Sequence, residues 1–408
     1  MKYLSLIIFM LAYNWLQAQS CDYITERYGV RSVKKIFVGT EPDFQNKPDS
    51  LFLDIYYPVG VTEAKRPLVM WVFGGGFITG KREDFAAICE GCAKRGFVAA
   101  TIDYRIGFNG TSILPYDSAE VIRAGFRGSQ DAKCALRYLK SRHVEDSIDL
   151  DRVWVGGASA GSIVALATAF YDKDSEKPTQ AGTISPANGN VRGDLGTIEG
   201  SRFINGYDTK VQGVFNIFGA VLDLSIIDSK DQIAVFSYHQ TEDPVVPCGH
   251  RKAYWAYPVV TDYYPYANGT CEIEPRLTQL GLPAGLHKAW IYPGNQHAVH
   301  NEAEVINFLL TNANPVLCGT VGVRDIQSNT LNSAFIRPNP ATGHEVVIDG
   351  VESGAIFHIT GLNGQLFVEG SMPMSGRLDI SALEDGMYFI TLHHGANSKT
   401  LKFVKAAF

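Results

Sequence analysis

The stretch Val153-Trp154-Val155-Gly156-Gly157-Ala158-Ser159-Ala160-Gly161-Ser162 decides the fold of this chain. An apolar, β-rich run leads into it, and a helix-forming run over residues 163–170 follows. The pattern Gly157-x-Ser159-x-Gly161 between a strand and a helix is typical of a nucleophile elbow, a tight turn that accepts only small neighbours. Such a turn lifts the Ser159 hydroxyl above the sheet and aims the Ala160 N–H at a carbonyl under attack. Without this context, the motif would also fit a Gly/Ser-rich turn or a phosphate-binding loop.

A second glycine motif lies upstream, directly after a predicted strand. Residues 66–73 form a continuous apolar run, as expected for a strand that is buried on both faces. Gly74-Gly75-Gly76-Phe77 follows, and glycines at a strand end let the backbone pass close to another group. We expect an oxyanion loop whose N–H groups face the carbonyl held at Ser159, with a flexible turn as the alternative.

A serine nucleophile needs a base to take its proton and an acid to orient that base. After a nucleophile elbow, the expected chain order is Ser, then Asp or Glu, then His. Asp243 follows the predicted strand 232–239 and opens an Asp-Pro turn that would fix the direction of its carboxylate. We favour Asp243 as the acid, and Glu242 and Asp223 remain alternatives.

The base should lie on the loop after the last strand of the sheet. His297 directly follows the predicted strand 289–293 and is favoured, with His300 as the second candidate. His287 precedes that strand, and His250 comes too early in the chain.

Predicted strands and helices alternate through the first three quarters of the chain, starting with a hairpin of strands 35–39 and 51–58. This alternation predicts an α/β fold with a mostly parallel sheet and helices on both faces. Ligands of such sheets bind beyond the carboxyl ends of the strands, where each candidate residue lies. The Gly-, Asn- and Ser-rich segment 171–209 is expected to be a loop insertion over the site. Aromatic runs at 254–258 and 263–266 would either line a substrate groove or pack within their loop.

The composition changes near residue 313, where short alternating strands broken by Gly and Asn begin. They predict a small C-terminal all-β sandwich without a site of its own. We therefore expect a signal peptide over 1–19, a catalytic domain over 20–312, a linker over 313–334 and a C-terminal domain over 335–408.

The N-terminus predicts secretion, because Lys2 is followed by a short apolar run and a small-residue cleavage site near residues 18–20. Lipidation of Cys21 is an alternative, although the preceding residues form a poor lipobox. Outside the cytoplasm disulfides can form, and the candidate pairs among the seven cysteines are Cys21 with Cys318 and Cys248 with Cys271. Cys89-x-x-Cys92 lies in a predicted helix without further metal ligands nearby, so no metal or redox site is expected there.

Charge excludes one class of partner. The chain has 36 Lys and Arg against 42 Asp and Glu, for a net charge of −6. No basic stripe is apparent, which makes nucleic acid an unsuitable partner.

Over residues 49–312 the sequence resembles the α/β-hydrolase family, and within it the carboxylesterases with a Gly-Gly-Gly-Phe oxyanion loop. The motifs that carry the resemblance are Gly74-Gly75-Gly76-Phe77, Asp103-Tyr104-Arg105, residues 131–139, Gly157-Ala158-Ser159-Ala160-Gly161, Asp243-Pro244-Val245-Val246-Pro247 and His297. The resemblance implies oxyanion donors at the backbone of Gly75, Gly76 and Ala160. Phe73 stands where the family usually has a His that supports the loop, so the anchoring of this loop departs from the family pattern.

The C-terminal segment resembles the sorting domain of the type IX secretion system. The matching motifs are Pro338-Asn339-Pro340, residues 361–365, 378–381 and 386–389, and Lys402-Phe403-Val404-Lys405. This resemblance implies the type IX machinery as a partner, and a chain that is released or held at the outer cell surface.

Together these features predict a secreted serine carboxylic-ester hydrolase that needs no metal or organic cofactor. Its triad would be Ser159, His297 and Asp243, and its reaction would pass through an acyl-enzyme. Acyl or feruloyl esters of polysaccharides, or polyesters, are the candidate substrates. A serine peptidase with the same triad and a non-catalytic surface protein are the alternatives, and the oligomeric state is left open.

Overall fold

The computed structural model of the protein describes residues 21–111, 114–185, 190–228, 232–319, 334–349, 351, 355–362, 364–373, 375–394 and 397–406. The expected signal peptide, residues 1–19, lies outside this part of the chain. Two units form, one up to Val323 and one from Arg324 onward, and each is described by itself.

An eight-stranded sheet forms the centre of the first unit. The strands of this unit in the described part of the chain are β1 Gly29–Pro42, β2 Pro48–Val59, β3 Arg66–Val72, β4 Val98–Ile102, β5 Ile148–Ala158, β6 Gly213–Ile217, β7 Ala220–Val221, β8 Ala234–Gln240, β9 His250–Lys252, β10 Tyr266–Gly269 and β11 His287–Tyr292. The order in the sheet is β1-β2-β4-β3-β5-β6-β8-β11. The β1–β2 hairpin is antiparallel, and the six strands from β4 to β11 run parallel. The predicted mostly parallel α/β sheet is confirmed.

Five helices accompany the sheet within the described residues: α1 Ala86–Lys94, α2 Ser118–Ser141, α3 Ala160–Phe170, α4 Thr270–Gln279 and α5 Glu302–Leu317. Every residue of β4 and β6 is buried, so both faces of the sheet are covered. This explains why these strands are mostly apolar and do not alternate between apolar and polar residues. No described helix is both long and apolar enough to cross a membrane.

Stacked aromatic rings link four neighbouring strands. The Trp71 ring lies 5.6 Å from Phe215, Phe215 lies 4.9 Å from Trp154, and Trp154 lies 6.0 Å from Phe236. These side chains come from β3, β6, β5 and β8, and they are nearly inaccessible to solvent. Large rings that bury this much apolar surface hold the strands that carry the candidate site.

The described part of the segment 171–209 lies along α2. Lys133 and Arg137 of α2 both bind Glu199, at 2.5 and 2.7 Å. Lys140 pairs with Asp208 at 2.6 Å. These cations are buried, which lowers the pKa of Lys133 and Lys140, so their partners in the segment are needed to satisfy them. The segment is therefore a cover for the polar face of α2.

Two disulfides form in the first unit, Cys21–Cys318 and Cys248–Cys271. Both candidate pairs are thus confirmed. The Cys21 sulfur is bonded to Cys318, so it is not free for lipidation. The second bond closes residues 248–271, which carry β9 and β10 and are called the clamped loop below. The thiols of Cys89, Cys92 and Cys134 are free and buried, and burial raises the pKa of each.

Helix α5 is longer than its sequence indicates. The sequence predicts a linker from residue 313, where Asn314 and Pro315 disfavour a helix, but the helix continues to Leu317. Val316 and Leu317 are buried against the core, and this packing outweighs the hydrogen bond that proline cannot make.

The second unit is all β. Its strands in the described residues are β12 Phe335–Arg337, β13 Glu345–Asp349, β14 Ile356–Gly361, β15 Leu366–Ser371, β16 Arg377–Asp379, β17 Gly386–His394 and β18 Asn397–Lys405. They form two antiparallel sheets, β12-β13-β16 and β15-β14-β17-β18. Side chains such as Ile348, Ile359, Ile390 and Phe403 share a separate apolar core. The predicted small β domain is confirmed.

Candidate active site

Ser159 occupies a strained turn between β5 and α3. Its φ of 56° and ψ of −126° lie in a region that non-glycine residues rarely adopt. The turn also brings the chain against β3, because a Cβ on Gly161 would lie 2.1 Å from the carbonyl oxygen of Val72. The predicted elbow thus has its expected geometry, and small residues are a steric requirement there.

His297 lies on the loop after β11, and its ring faces the elbow. Its Nε2 is 2.7 Å from Ser159 Oγ. Phe218 packs edge-on against the imidazole with a ring separation of 4.7 Å, which restricts the ring's rotation. The geometry allows proton transfer between the hydroxyl and the ring.

Asp243 follows β8 and completes the constellation. Its Oδ2 lies 2.7 Å from His297 Nδ1, and its Oδ1 accepts hydrogen bonds from the N–H groups of Val245 and Val246 at 2.8 and 3.1 Å. The side chain is 1% exposed, so these bonds replace water around the carboxylate. Such an acceptor fixes the imidazole with its Nδ1 protonated.

The other two acids lie elsewhere. Glu242 is solvent-exposed and lies 3.5 Å from Arg251. Asp223 accepts a hydrogen bond from the backbone N–H of Ser225 and begins a short 3₁₀ turn. Neither has a hydrogen bond to His297 among the described residues, so geometry favours Asp243.

The other candidate histidines also have different partners. His300 contacts the Tyr238 hydroxyl at 2.9 Å and Glu304 at 3.2 Å. His250 and His287 bind groups near their own strands. The structure thus brings His297 to Ser159, while the closest alternative packs behind the last strand.

The glycine loop lies directly beside the elbow. Gly75 has a φ of 113°, and its carbonyl accepts hydrogen bonds from Ile78 and Thr79, which hold the turn. A Cβ on Gly74 would lie 2.8 Å from the Ala158 carbonyl oxygen and 3.3 Å from Ser159 Cβ. The absence of a side chain in the glycine loop therefore lets its backbone pack closely against Ser159.

Tyr104 anchors this loop, a role that the sequence did not reveal. Its hydroxyl donates to the carbonyl of Phe73 at 3.1 Å, and its ring packs on the Phe73 ring at 4.5 Å. This contact supports the loop where the usual His is missing. The motif Asp103-Tyr104-Arg105 was the available signal, but nothing in it indicated which atom the tyrosine would bind.

Ala160 is the first residue of α3, and Ala160 and Gly76 line the same pocket as Ser159. The first N–H groups of a helix have no partner inside the helix and carry its positive dipole end. An oxygen held at Ser159 would meet this end of the helix. The predicted donors Gly75, Gly76 and Ala160 thus belong to segments that surround Ser159.

A pocket extends from Ser159. None of the described residues that line it carries a charged side chain. Its wall comes from the glycine loop, α2, α3, the segment after β7 and the clamped loop, with Phe77, Ile122, Phe126, Ile163, Leu222, Ile226, Val246, Tyr254 and Tyr264 among the larger side chains. The pocket suits an uncharged apolar or aromatic group.

The two aromatic runs divide between the expected roles. Tyr254 and Tyr264 line the pocket. Trp255 instead donates its Nε1–H to the carbonyl of Asp243 at 2.6 Å, which supports the turn that carries the acid. Tyr257 and Tyr266 are exposed.

Comparison with known families divides the chain in two. Residues 53–245 match the BD-FAE family, and residues 336–406 match the family described as the secretion system C-terminal sorting domain. Ser159 and Asp243 lie within the first match, and His297 lies beyond it.

Similarity to curated proteins is partial. The chain is 33% identical to carboxylesterase 3 of Pongo abelii over 132 residues, which are 31% of this chain and 22% of the relative. It is 33% identical to fumonisin B1 esterase of Sphingopyxis macrogoltabida over 116 residues, 28% of this chain and 22% of the relative. The chain thus spans about a fifth of the length of the curated relatives it matches.

Solved structures include esterases with a similar trace. Esterase 2 of Thermogutta terrifontis aligns with a TM-score of 0.45 and 17% identity over 70% of this chain and 96% of that chain. A truncated carbohydrate esterase from gut microbiota aligns with a TM-score of 0.44 and 16% identity over 71% of this chain and 98% of that chain.

Proposed function

We propose that the chain is an exported carboxylic ester hydrolase, because residues 53–245 match the BD-FAE family and residues 336–406 match the secretion system C-terminal sorting domain. The proposal rests on two contacts of His297, each 2.7 Å long, with Ser159 Oγ and Asp243 Oδ2. We assign these three residues as the catalytic triad. We further propose that the catalytic domain covers the predicted residues 20–312 and extends to the end of α5 at Leu317, that the rest of the predicted linker 313–334 follows, and that the sorting domain covers residues 335–408.

In the proposed reaction, His297 Nε2 removes the proton of Ser159 as Oγ attacks the ester carbonyl. Asp243 stabilises the imidazolium that forms. The imidazolium then protonates the leaving alcohol, and an acyl-enzyme remains on Ser159. Water, deprotonated by His297, hydrolyses this intermediate and restores the serine.

The backbone N–H groups of Gly75, Gly76 and Ala160 would hold the oxyanion of the tetrahedral intermediate. Support comes from the helix end at Ala160 and from the tight approach of the glycine loop to Ser159. Loss of one such donor typically costs about 3 kcal/mol of transition-state stabilisation.

The pocket supports a preference for esters with an uncharged apolar or aryl group next to the carbonyl. It has no charged side chain among its described lining residues, so it offers no partner for a free carboxylate or an amine. Acyl or feruloyl esters of polysaccharides, and polyesters, meet this requirement. A peptidase that reads a charged side chain or terminus would lack its anchor here.

The test compares wild type with Ser159→Ala on 4-nitrophenyl acetate, 4-nitrophenyl butyrate and peptide 4-nitroanilides. Ser141→Ala serves as the matched control, because Ser141 is exposed at the far end of α2. We expect ester turnover in wild type and in the control, and a loss of roughly 10³-fold or more in Ser159→Ala.

Each alternative has its own outcome. Ester turnover that survives Ser159→Ala would refute the mechanism, and turnover of anilides alone would identify a peptidase. A folded wild type that hydrolyses neither probe and resists a fluorophosphonate would indicate a non-catalytic surface protein. A phosphonate adduct on another residue would move the site.

A further inference from the structure

Four polar side chains lie buried between the elbow helix and the turn that carries Asp243. They are Ser162 on α3, Asn216 on β6, His239 on β8 and Thr270 at the start of α4, and each is 0% exposed. Buried polar groups are costly unless each hydrogen bond is satisfied. A cluster of four beside a reaction centre therefore calls for a physical reason.

Asn216 occupies the middle of this cluster, and its amide is fully used. Its Oδ1 accepts from Ser162 Oγ at 2.6 Å and from the Gly219 N–H at 2.9 Å. Its Nδ2 donates to Ser237 Oγ at 3.0 Å and to Thr270 Oγ1 at 3.1 Å. The Gly219 N–H can only donate, so it fixes which amide atom is the oxygen.

His239 continues the chain of bonds toward Asp243. Its Nε2 lies 2.9 Å from the carbonyl oxygen of Val246 and 3.6 Å from Asp243 Oδ2, and since both are acceptors, Nε2 carries a proton. Burial lowers the pKa of His239 to about 4; the Asp243 carboxylate opposes this shift, and His297 reinforces it. The neutral ring therefore accepts at Nδ1, which lies 3.0 Å from Thr270 Oγ1.

These constraints give the hydrogen bonds a single direction. Thr270 spends its one hydrogen on His239, so its oxygen accepts from Asn216. His239 then donates to the carbonyl of Val246, whose own N–H donates to Asp243 Oδ1 at 3.1 Å. An unbroken series of donors thus runs from Ser162, three residues after the nucleophile, to the carboxylate of the acid.

We propose that Ser162, Asn216, Thr270 and His239 are positioning residues that hold the Asp243 turn in register with the helix that follows Ser159. The inference rests on the proposed function, because it concerns the same triad. His297 must contact Ser159 and Asp243 at once, and these two come from separate elements of the sheet. A displacement of about 1 Å between such elements can lower a rate by about a hundredfold.

Thr270→Val is the decisive variant, since it removes one hydroxyl with little change in shape. Thr168→Val is its matched control, because Thr168 is also buried and, among the described residues, its hydroxyl donates to the Val164 carbonyl one turn earlier in α3. Thr270→Ser should restore function by replacing the hydroxyl. The readouts are kcat and KM for 4-nitrophenyl acetate, the acidic limb of the pH–rate profile, and the rate at which a fluorophosphonate labels Ser159.

We expect Thr270→Val to lower kcat and the labelling rate about tenfold or more while KM changes less than twofold. Its acidic limb should move to lower pH, because a carboxylate that is held less firmly stabilises the His297 imidazolium less. Thr270→Ser and Thr168→Val should resemble wild type in all three readouts.

A folded Thr270→Val protein with wild-type kcat, labelling rate and acidic limb would overturn the inference, whatever its melting temperature. Should that variant not fold, Ser162→Ala decides by the same measurements, because Asn216 Oδ1 keeps the Gly219 N–H as a donor. Failure of the proposed function is distinct: wild-type ester turnover would then survive Ser159→Ala, or wild type would hydrolyse no ester. Wherever the fluorophosphonate still labels Ser159, the labelling rate tests the positioning residues independently of ester turnover.

Discussion

Gly75 shows how backbone geometry, rather than side-chain chemistry, can determine a residue at this site. Its φ of 113° is a conformation that residues with a side chain rarely adopt. A Cβ there would also lie 2.2 Å from the carbonyl oxygen of Thr79, inside the turn that the loop needs. The position is therefore restricted twice, by torsion and by contact.

We predict that Gly75→Ala lowers kcat/KM on 4-nitrophenyl acetate by about a hundredfold or more, because the loop must move away from Ser159. The control is Gly60→Ala, where φ is 89° but nothing lies within 4 Å of the added Cβ. That variant reports torsional strain alone, about 1–2 kcal/mol. Equal activity of Gly75→Ala and wild type would contradict the role of the loop.

His239 makes stability depend on pH. Folding lowers its pKa from 6.5 to about 4, so in this interval the unfolded chain binds a proton that the folded chain does not. Stability should therefore fall as the pH drops from about 6.5 to about 4, by about 3 kcal/mol from this residue, and no further below. Urea unfolding of wild type and His239→Gln across this range measures the difference. Parallel pH dependences would show that His239 does not contribute.

At the scale of elements, the clamped loop forms one wall of the pocket. Tyr254, Tyr264 and Pro265 belong to it and face the space beside Ser159. The bond Cys248–Cys271 ties the two ends of this loop, one just after the acid turn and the other in the first turn of α4. Closing a loop of this length contributes about 3 kcal/mol in the chain-entropy model.

We predict that the double variant Cys248→Ser, Cys271→Ser raises KM for 4-nitrophenyl butyrate more than for the acetate, since the longer acyl group depends on this wall. The melting temperature should also fall. The matched control is Cys21→Ser, Cys318→Ser, which removes a bond remote from the pocket lining and should alter stability with little change in KM. An equal effect of both variants on KM would refute a specific role of the clamp.

Features that depend on neighbouring residues could be predicted from the sequence, whereas features that depend on contacts between distant residues could not. The elbow was predictable because Gly157, Ser159 and Gly161 impose a local turn. Asp243 and His297 were predictable because chain order reports the shared edge of a parallel sheet. The true end of α5 and the course of the segment 171–209 were not, because distant core contacts and buried cations determine them. The bonds of Asn216 were equally hidden.

At the scale of the whole molecule, the two proposed tasks belong to different units: catalysis to the first unit and export to the second. Each unit has its own apolar core in the described residues, and the second unit matches the secretion system C-terminal sorting domain over residues 336–406. The contacts of His297 with Ser159 and Asp243 join residues of the first unit. The two tasks should therefore be separable.

We predict that a chain ending at Gly319 keeps the kcat, KM and melting temperature of the hydrolase unit, because Cys318 and α5 remain. In cells, the same truncation should leave the protein inside the outer membrane, as fractionation and ester assays of the medium would reveal. A truncated enzyme with a tenfold lower kcat would contradict the separation. Export of the shortened chain would contradict the role of the sorting domain.

The disulfide between Cys21 and Cys318 closes the first unit into a covalent ring. The Cα atoms of Cys21 and Cys318 lie 5.7 Å apart, although 297 positions separate the two residues in sequence. Where the polypeptide starts is therefore arbitrary with respect to the architecture. A circular permutant that joins these ends by a short peptide and opens the chain in an exposed loop would keep every layer of the sheet, and a protease nick in such a loop would leave both fragments covalently united.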